Sequence, residues 1–399
     1  ASYLNVANIL TAAIESGCEA IHPGYGFLAE NGDFAEKVEA CGLKLIGPSS
    51  RVINLMGNKL SARNLMEESG VPVVPGCNDV VHDEDQLYRI ADEIGYPVLL
   101  KASAGGGGKG MRRIYKREDL VPGWELTRRE AKASFANDDI YIEKLIENPR
   151  HIEIQILADS LGNVVYLPER DCSIQRNNQK IIEESPSRAN SDLLEKMYKS
   201  AVMCAKACGY EGTGTVEFIV DKYDNYYFME MNTRIQVEYP VTEMVTGINL
   251  IKEQIRIASG LPLSVKQEDV AANGHAIEVR VNAQNPYDDF RPSCGEISFF
   301  LPPGGLDTRF ETALYQGAKI LPFYDSMMAK LIVKGSTRMD AIKKLRRAVS
   351  ETIIDGVPTN LGFIYAILYD KDFILGNIDT NYVANKEAEL LESMHVTGE

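Results

Sequence analysis

Residues 101–112 read KASAGGGGKGMR, and this glycine run constrains the fold more than any other stretch of the sequence. Consecutive glycines lose more backbone entropy on ordering than other residues, so they are unfavourable inside a helix or a strand. The flanking segments YPVLLKA and GMRRIYK both read as short strands. The run therefore predicts the tip of a hairpin, and a flexible linker is the alternative.

Lys101 and Lys109 place a positive charge at each end of this loop. Such a loop can fold over a polyphosphate, because glycine amides approach phosphate oxygens without interference from side chains. A dinucleotide fingerprint is excluded because a strand rather than a helix follows, and Ser103 and Gly110 break the Walker pattern. We therefore expect a phosphate-covering lid that opens for exchange.

The segment GTVEFIVDKYDNYYFMEMN predicts two strands joined by a turn, with an acidic residue on each strand. A turn centred between residues 223 and 224 places Glu217 opposite Glu230, and a shift by two places Glu217 opposite Asn232. Carboxylates about 5 Å apart repel by about 3 kcal/mol at an effective dielectric constant of 20. A hard cation between them would remove this repulsion, and Mg²⁺ suits oxygen ligands beside phosphates. The alternative is a solvated hairpin face with a strained acid pair.

The alternation of polar and apolar residues continues through EMNTRIQVE, which predicts that the second strand extends to Glu238. Its polar face presents Arg234 and then Glu238 beyond the predicted metal site. A cation followed by a carboxylate suits an anionic second substrate that Arg234 holds and Glu238 deprotonates.

Charge and composition argue against other classes of protein. The formal charge of −15 argues against a nucleic-acid partner, because phosphate backbones require a basic face. No apolar run approaches the roughly 18 residues of a membrane span, so no membrane association is expected. The seven cysteines are scattered and histidines are few, so we interpret the cysteines as buried thiols of a cytoplasmic protein rather than zinc ligands.

The patterning indicates a multidomain chain of α/β and α+β units. The opening unit has only two helix–strand repeats, too few for an independent sheet, so its first strands are expected to be missing. One continuous helix is predicted over 49–70. The predicted units are an incomplete N-terminal α/β domain (1–56), a linker helix and hinge (57–72), a lid subdomain with the glycine loop (73–145), a metal- and substrate-binding core (146–273) and a C-terminal domain (274–399).

Several motifs occur in order over essentially the whole chain: MGNK, KASAGGGGKGMR, YIEKLIENPRHIEIQ, ERDCSIQRNNQK, GTVEFIV, MEMNTRIQVE and HAIEVRVNA. Together they resemble biotin carboxylase, a family of the ATP-grasp superfamily. The resemblance implies an ATP-grasp fold with an incomplete N-terminal domain and a C-terminal biotin carboxylase domain. It also implies a missing segment before residue 1, because the family begins with a further βαβα stretch.

The resemblance implies a role for each matching residue. The nucleotide site would be Lys59, Lys101, Gly107, Gly108, Glu143, Lys144, Leu145, Ile146, His151, Gln175 and Asn178. The Mg²⁺ or Mn²⁺ ligands would be Glu217, Glu230 and Asn232. Bicarbonate would be held by Lys180, Arg234 and the backbone amide of Val237, with Glu238 as its base, while Arg280 would stabilise the biotin enolate beside Tyr25.

The family reaction phosphorylates bicarbonate with ATP, and the resulting carboxyphosphate delivers CO₂ to the biotin enolate. The resemblance implies the biotin carboxylase component of a multi-subunit enzyme such as acetyl-CoA carboxylase. It implies a biotin carboxyl carrier protein and carboxyltransferase subunits as partners, and a homodimer. The alternatives are a carbamoyl-phosphate-type ligase and a non-catalytic nucleotide-binding protein.

The chain departs from the family pattern in two places. Asn177 and Asn178 stand where the family usually has Arg and His, and Tyr239 stands where it usually has His. An asparagine still donates a hydrogen bond, so we expect weaker nucleotide contact rather than loss of function.

Overall fold

The computed structural model describes residues 3–103 and 110–396 of the chain. Within these ranges the α-helices are α1 (Val6–Glu15), α2 (Gly32–Ala40), α3 (Ser50–Gly57), α4 (Lys59–Glu68), α5 (Glu84–Ile94), α6 (Leu120–Phe135), α7 (Ser191–Cys208), α8 (Tyr239–Thr246), α9 (Leu250–Ala258), α10 (Arg338–Glu351), α11 (Leu361–Tyr369), α12 (Lys371–Leu375) and α13 (Tyr382–Val396).

The β-strands of the same ranges are β1 (Ala20–Ile21), β2 (Lys44–Leu45), β3 (Val98–Ala102), β4 (Met111–Ile114), β5 (Ile140–Lys144), β6 (Arg150–Ala158), β7 (Val164–Tyr166), β8 (Arg170–Arg176), β9 (Gln179–Ser185), β10 (Gly212–Val220), β11 (Tyr226–Asn232), β12 (His275–Asn282), β13 (Gln284–Asn285), β14 (Arg291–Pro292), β15 (Gly295–Glu296), β16 (Phe299–Leu301), β17 (Thr308–Thr312), β18 (Lys319–Ile320), β19 (Met327–Gly335) and β20 (Ile353–Asp355).

The predicted continuous helix over 49–70 is wrong, because α3 ends at Gly57 and α4 begins at Lys59. Asn58 between them is extended, and its side chain accepts a hydrogen bond from the Ser61 amide at 2.9 Å. An extended residue cannot continue a helix, but it can cap the next one. The break places Lys59 at the first position of α4.

Nine of the described strands form one antiparallel sheet in the order β11-β10-β6-β8-β9-β12-β19-β17, with β7 paired to β6. Helices α3, α4 and α7 bury one end of it around Met66, Met197 and Phe218. Helices α10, α11 and α13 bury the other end around Leu345 and Phe363. This central sheet continues across the proposed boundary at residues 273 and 274. The five-part division of the chain stays a prediction.

A separate antiparallel sheet has the order β4-β3-β5. It packs with α5 and α6 into its own core, which includes Leu87, Leu100 and Trp124. Strands β3 and β4 pair with Lys101 opposite Met111, so the hairpin predicted around the glycine run is confirmed. Gly107, Gly108 and Lys109 lie outside the described residues.

The N-terminal part contains the two predicted helix–strand repeats. Strands β1 and β2 pair in parallel, and α2 and α3 pack beside them around Phe34, Val38 and Ile53. None of the helices described is long and apolar enough to cross a bilayer.

All seven cysteines are free thiols, but the expectation that they are buried is wrong for Cys18, Cys41 and Cys294. These three are exposed because each lies outside the interior of a helix or strand, after α1, at the end of α2 and between β14 and β15. Cys172, Cys204 and Cys208 are buried as predicted.

Candidate active site

A cavity of about 960 Å³ lies between the three-stranded sheet and the central sheet. With the exception of Glu238, every described residue that the sequence analysis assigned to a site lines this cavity. These residues are Tyr25, Lys59, Lys101, Glu143, Lys144, Leu145, Ile146, His151, Gln175, Asn178, Lys180, Glu217, Glu230, Asn232, Arg234, Val237 and Arg280. The fold therefore brings together side chains that are widely separated in the sequence.

Lys101 and Glu143 form an ion pair on the three-stranded sheet. Lys101 Nζ lies 3.0 Å from Glu143 Oε2, and Arg63 Nη1 lies 3.6 Å from Glu143 Oε1. Arg63 is buried and also donates to the Val74 carbonyl at 2.6 Å. Glu143 thus holds the predicted phosphate-contacting lysine in place. Sequence reasoning missed Arg63, which belongs to no recognised motif.

Residues 143–146, which the resemblance assigns to the nucleotide site as the hinge that contacts adenine, run from the end of β5 into the following loop. Lys144 Nζ donates to the carbonyls of Gly95 and Tyr96 at 2.8 and 3.0 Å. These bonds fix the end of β5 against the loop before β3. The Lys144 side chain therefore anchors the hinge.

Glu217 lies opposite Glu230 in the β10–β11 ladder, so the first of the two predicted registers is confirmed. Asn232 lies opposite Thr215, yet its Nδ2 donates to Glu217 Oε1 at 2.9 Å. A bulge follows, because Phe218 pairs with Phe228. All three predicted metal ligands therefore face one side of the hairpin.

Each of the two acids has a cation beside it. Lys180 Nζ lies 3.2 Å from Glu217 Oε1, and His151 Nε2 lies 3.0 Å from Glu217 Oε2. Lys59 Nζ lies 3.3 Å from Glu230 Oε2. Burial alone would raise the pKa of Glu217, but Lys180 and His151 outweigh burial and hold that pKa well below its usual range. The repulsion inferred from the sequence is thus already compensated within the protein.

Carboxylate and amide oxygens of Glu217, Glu230 and Asn232 line the cavity beside Lys59 and Lys101. Hard oxygen donors of this kind are what Mg²⁺ prefers, and Mn²⁺ accepts them as well. The residues therefore fit a divalent cation next to lysines suited to phosphate. His151, which the resemblance assigns to the nucleotide site, lies against Glu217.

The prediction that the second strand reaches Glu238 is wrong. Strand β11 ends at Asn232, and a turn leads to α8, for which Glu238 is the N-terminal cap. Pro240 lies in the first turn of that helix, where its missing amide costs nothing. Alternation alone does not reveal where the polar residues leave the strand.

Glu238 is fully buried between two cations. Lys180 Nζ lies 2.5 Å from Oε1, and Arg280 Nη2 lies 2.9 Å from Oε2. Burial opposes the ionisation of Glu238, but Lys180, Arg280 and Arg170 together lower its pKa well below the usual range. The surrounding cations therefore hold the Glu238 carboxylate in its ionised form.

Arg234 is oriented by residues from two parts of the chain. Its Nε donates to Glu30 Oε2 at 2.8 Å, and its other nitrogens donate to Asn232 Oδ1 and Gln236 Oε1, each at 3.1 Å. These contacts hold the guanidinium at the cavity wall. Sequence reasoning missed Glu30, which lies near the start of α2.

Buried ion pairs around Glu153 support Lys180. Arg170 is fully buried and pairs with Glu153 at 2.5 Å, and Glu153 also accepts from Lys180 at 2.6 Å. Because Lys180 Nζ stands between Glu153 and Glu238, we assign no metal to these acids. The motif ERDCSIQR contains Arg170, but its role could not be deduced from the sequence.

Lys330 supports the turn that carries Val237. Its Nζ donates to the Val237 carbonyl at 2.8 Å and pairs with Glu311 at 2.6 Å. The same ammonium lies 4.6 Å from the ring centre of Tyr239 and 5.8 Å from that of Tyr25. Tyr239, which stands where the family usually has His, thus packs its ring beside the Lys330 ammonium.

The chain has a large antiparallel sheet and a small one, and the cavity between them contains lysines and paired carboxylates. This arrangement defines an ATP-grasp ligase. Three family models match the chain: biotin carboxylase, N-terminal domain, over 1–53; carbamoyl-phosphate synthase L chain, ATP binding domain, over 58–266; and biotin carboxylase C-terminal domain, over 278–385. The chain belongs to the biotin carboxylase family.

Named relatives agree with this assignment. Biotin carboxylase 1 of Bacillus subtilis is 54% identical over 96% of this chain and 85% of its own length. A pyruvate carboxylase subunit of Methanothermobacter thermautotrophicus is 51% identical over 96% of this chain and 78% of its own length.

Two solved structures of relatives superpose closely on this chain. The biotin carboxylase domain dimer of Hydrogenobacter thermophilus 2-oxoglutarate carboxylase, in complex with MgADP, ADP and bicarbonate, superposes with a TM-score of 0.94 at 48% identity, covering 97% of this chain and 86% of that chain. The biotin carboxylase–beta-gamma-ATP complex from Campylobacter jejuni has a TM-score of 0.94 at 44% identity, covering 96% and 86%.

These matches confirm the predicted fold class, a mixed α/β multidomain chain with an ATP-grasp core. They also confirm the predicted enzyme class: the chain is a ligase that carboxylates biotin with ATP and a divalent metal ion. The roles of individual residues and the final acceptor of the carboxyl group belong to the proposal below.

Proposed function

We propose that this enzyme carries out the first half-reaction of acetyl-CoA carboxylase in the cytoplasm, as a homodimer. Its substrate would be biotin attached to a biotin carboxyl carrier protein, which then serves carboxyltransferase subunits. The acetyl-CoA assignment rests on the resemblance of the sequence motifs, and relatives named biotin carboxylase are compatible with it. Relatives named for pyruvate and 2-oxoglutarate carboxylase define the competing acceptors.

The observation that carries the proposed chemistry is the buried Glu238 carboxylate between Lys180 and Arg280. Bicarbonate bound beside Lys180, Arg234 and the Val237 amide would share Lys180 with Glu238. Sharing this cation weakens its hold on the carboxylate and makes Glu238 a better base. Glu238 then takes the bicarbonate proton as a bicarbonate oxygen attacks the γ-phosphorus of ATP and ADP leaves.

Carboxyphosphate so formed separates into CO₂ and phosphate, and phosphate takes the proton from the biotin ureido nitrogen. The enolate then attacks CO₂ while Arg280 stabilises its negative charge. Lys59 and Lys101 would hold the nucleotide phosphates, and residues 143–146 the adenine. A divalent metal ion held by Glu217, Glu230 and Asn232 would neutralise phosphoryl charge.

The experiment that tests these roles compares Glu238→Gln with Arg280→Gln. ADP release and carboxybiotin formation are measured on one sample of each variant with free biotin. Glu238→Gln should lower both rates about 10²–10⁴-fold, because both need the base. Arg280→Gln should lower carboxybiotin formation more than ADP release, because its charge acts mainly on the biotin enolate.

Arg338→Gln is the matched control, since Arg338 also pairs with a buried glutamate, Glu184, but does not line the cavity. Equal ratios of the two rates in Glu238→Gln and Arg280→Gln would contradict the division of roles. The acceptor is tested separately by coupling the carboxylated carrier to acetyl-CoA, pyruvate and 2-oxoglutarate carboxyltransferases. Transfer only to pyruvate or 2-oxoglutarate would overturn the acetyl-CoA assignment.

A further inference from the structure

Two carboxyl groups behind Arg280 have buried oxygens without a hydrogen-bond partner. Both oxygens of Glu278 and Oε2 of Glu183 are in this state, and both residues are fully buried. A buried acceptor left unpaired costs about 1–3 kcal/mol, and an unpaired buried charge costs more. Three such atoms side by side therefore require an explanation.

The two residues lie directly opposite each other on neighbouring strands of the central sheet. Glu183 of β9 pairs with Glu278 of β12 in the antiparallel ladder. Opposed side chains have Cβ atoms about 5 Å apart, so the two carboxyl groups are within reach of each other. Ile332 lies across from Glu278 on β19, and an apolar cluster that includes Val241 of α8 packs around Ile332.

The nearby cations are already engaged. Arg280 Nε donates to Glu183 Oε1 at 2.6 Å, and its Nη2 donates to Glu238. Lys330 pairs with Glu311 and the Val237 carbonyl. The described residues thus offer Glu278 no bonded cation, and a single proton on Glu278 would give Glu183 Oε2 a hydrogen-bond donor and leave only one Glu278 oxygen unpaired.

We propose that Glu183 and Glu278 share one proton, and that this singly charged acid pair positions Arg280 for its contact with Glu238 and the biotin ring. The proposal rests on the proposed role of Arg280 in biotin carboxylation. Glu183 and Glu278 are positioning residues, because they act on the substrate only through the arginine.

The electrostatics of the surroundings agree with this geometry. Burial raises the pKa of Glu278 well above its usual range, against the opposing effect of Lys330. Burial also raises the pKa of Glu183 to about 7, against the effect of Arg280. The charged and titratable groups that face the pair are Lys180, Glu238, Tyr239, Arg280 and Lys330.

One shared proton matters because it sets the charge behind the guanidinium. With the proton, the acid pair carries one negative charge, and Arg280 donates one hydrogen bond to Glu183 and one to Glu238. Without the proton, two buried negative charges draw Arg280 away from Glu238. We therefore expect the turnover rate to fall as the acid pair loses its proton at high pH.

Infrared difference spectroscopy of the intact enzyme tests the shared proton directly. At pH 8 the wild type should show the carbonyl band of a neutral carboxylic acid that shifts in D₂O, and Glu278→Gln should lack it. Glu184→Gln is the matched control: Glu184 is the neighbour of Glu183, is also buried, and is held ionised by His275 and Arg338.

The band should persist in Glu184→Gln. An unchanged band in Glu278→Gln would overturn the proposal whether or not the enzyme carboxylates biotin. A failure of the proposed function would leave the band in place, so the two failures are distinguishable.

Kinetics test the positioning role. Glu278→Leu leaves Glu183 Oε2 without a donor and should lower kcat for carboxybiotin formation at least tenfold, with little effect on KM for ATP. Glu278→Gln restores a donor and should recover most of that loss, and its rate should hold to higher pH than in the wild type. Equal losses in the two variants, or a fall in both at the same pH as the wild type, would overturn the positioning role.

Discussion

Glu217 and Glu230 stand opposite each other, but their surroundings differ. Glu217 is buried, with contacts to His151, Lys180 and Asn232. The side chain of Glu230 is 32% exposed, and its cation is Lys59. From the sequence the two acids are equivalent, since neutralising either should relieve their repulsion. In the structure, neutralising Glu217 would also remove its contacts with Lys180 and His151. Only at Glu230 should neutralisation leave the stability of the protein nearly unchanged.

We predict that Glu217→Gln lowers the stability of the metal-free enzyme by about 2 kcal/mol, because it removes one of the three carboxylates that pair with Lys180 and the carboxylate beside the buried His151. Glu230→Gln should change stability by less than about 0.5 kcal/mol, since its ion pair is partly exposed to solvent. Both variants should lose biotin carboxylation. Urea denaturation in the presence of a chelator measures the difference, and equal stabilities of the two variants would contradict it.

The hairpin between β8 and β9 explains one departure from the family pattern. Asn177 and Asn178 form its two-residue turn with φ of 50° and 63°. Two consecutive positive φ values define the turn that suits antiparallel strands, and asparagine tolerates this conformation better than most residues. The pair therefore has a local structural reason, independent of the nucleotide.

Glycine substitutions separate the turn from the nucleotide contact. Asn178 lines the cavity and Asn177 does not. We predict that Asn178→Gly raises KM for ATP while the melting temperature is retained, because glycine adopts positive φ freely. Asn177→Gly is the control and should alter neither quantity. A KM for ATP unchanged in Asn178→Gly would show that this side chain makes no nucleotide contact.

The sequence pattern predicted correctly those helices and strands in which the spacing of apolar residues stays constant along the whole element. The predicted pairing of Glu217 with Glu230 is present, but it depends on a bulge between Glu217 and Phe218, because nearer the turn Phe218 pairs with Phe228. The end of β11 and the break at Asn58 were missed, because alternation and helical spacing both continue past them in the sequence. The strand and the helix are interrupted there by the backbone conformation of one or a few residues.

At the scale of the whole molecule, contacts between distant strands could not be predicted from the residues alone. Lys180 of β9 and His151 of β6 meet Glu217 of β10 only because the central sheet orders these strands. The resemblance to biotin carboxylase supplied these residues, but their pairing with acids emerged from the structure. Arg63, Glu30 and the buried acid pair carried no signal in the sequence.

The two sheets have separate cores, which predicts unequal local stability. Native-state hydrogen exchange should show the amides of Leu100 and Ile142 opening together, at a lower free energy than those of Ile154 and Val279 in the central sheet. The small sheet can then open as a unit for nucleotide exchange. A single opening free energy for all four amides would mean that both sheets unfold as one body.

Strand β12 carries Arg280 and is bonded to β9 on one side and β19 on the other. Helix α10 packs against β19 and β12, far along the chain from the residues that bind substrates. Helix α8, which begins directly after Glu238, packs against the same two strands. Catalytic groups tolerate only about 0.5 Å of misplacement. The central sheet therefore gives Arg280 and Glu238 one common support, to which α10 and α8 both contribute packing.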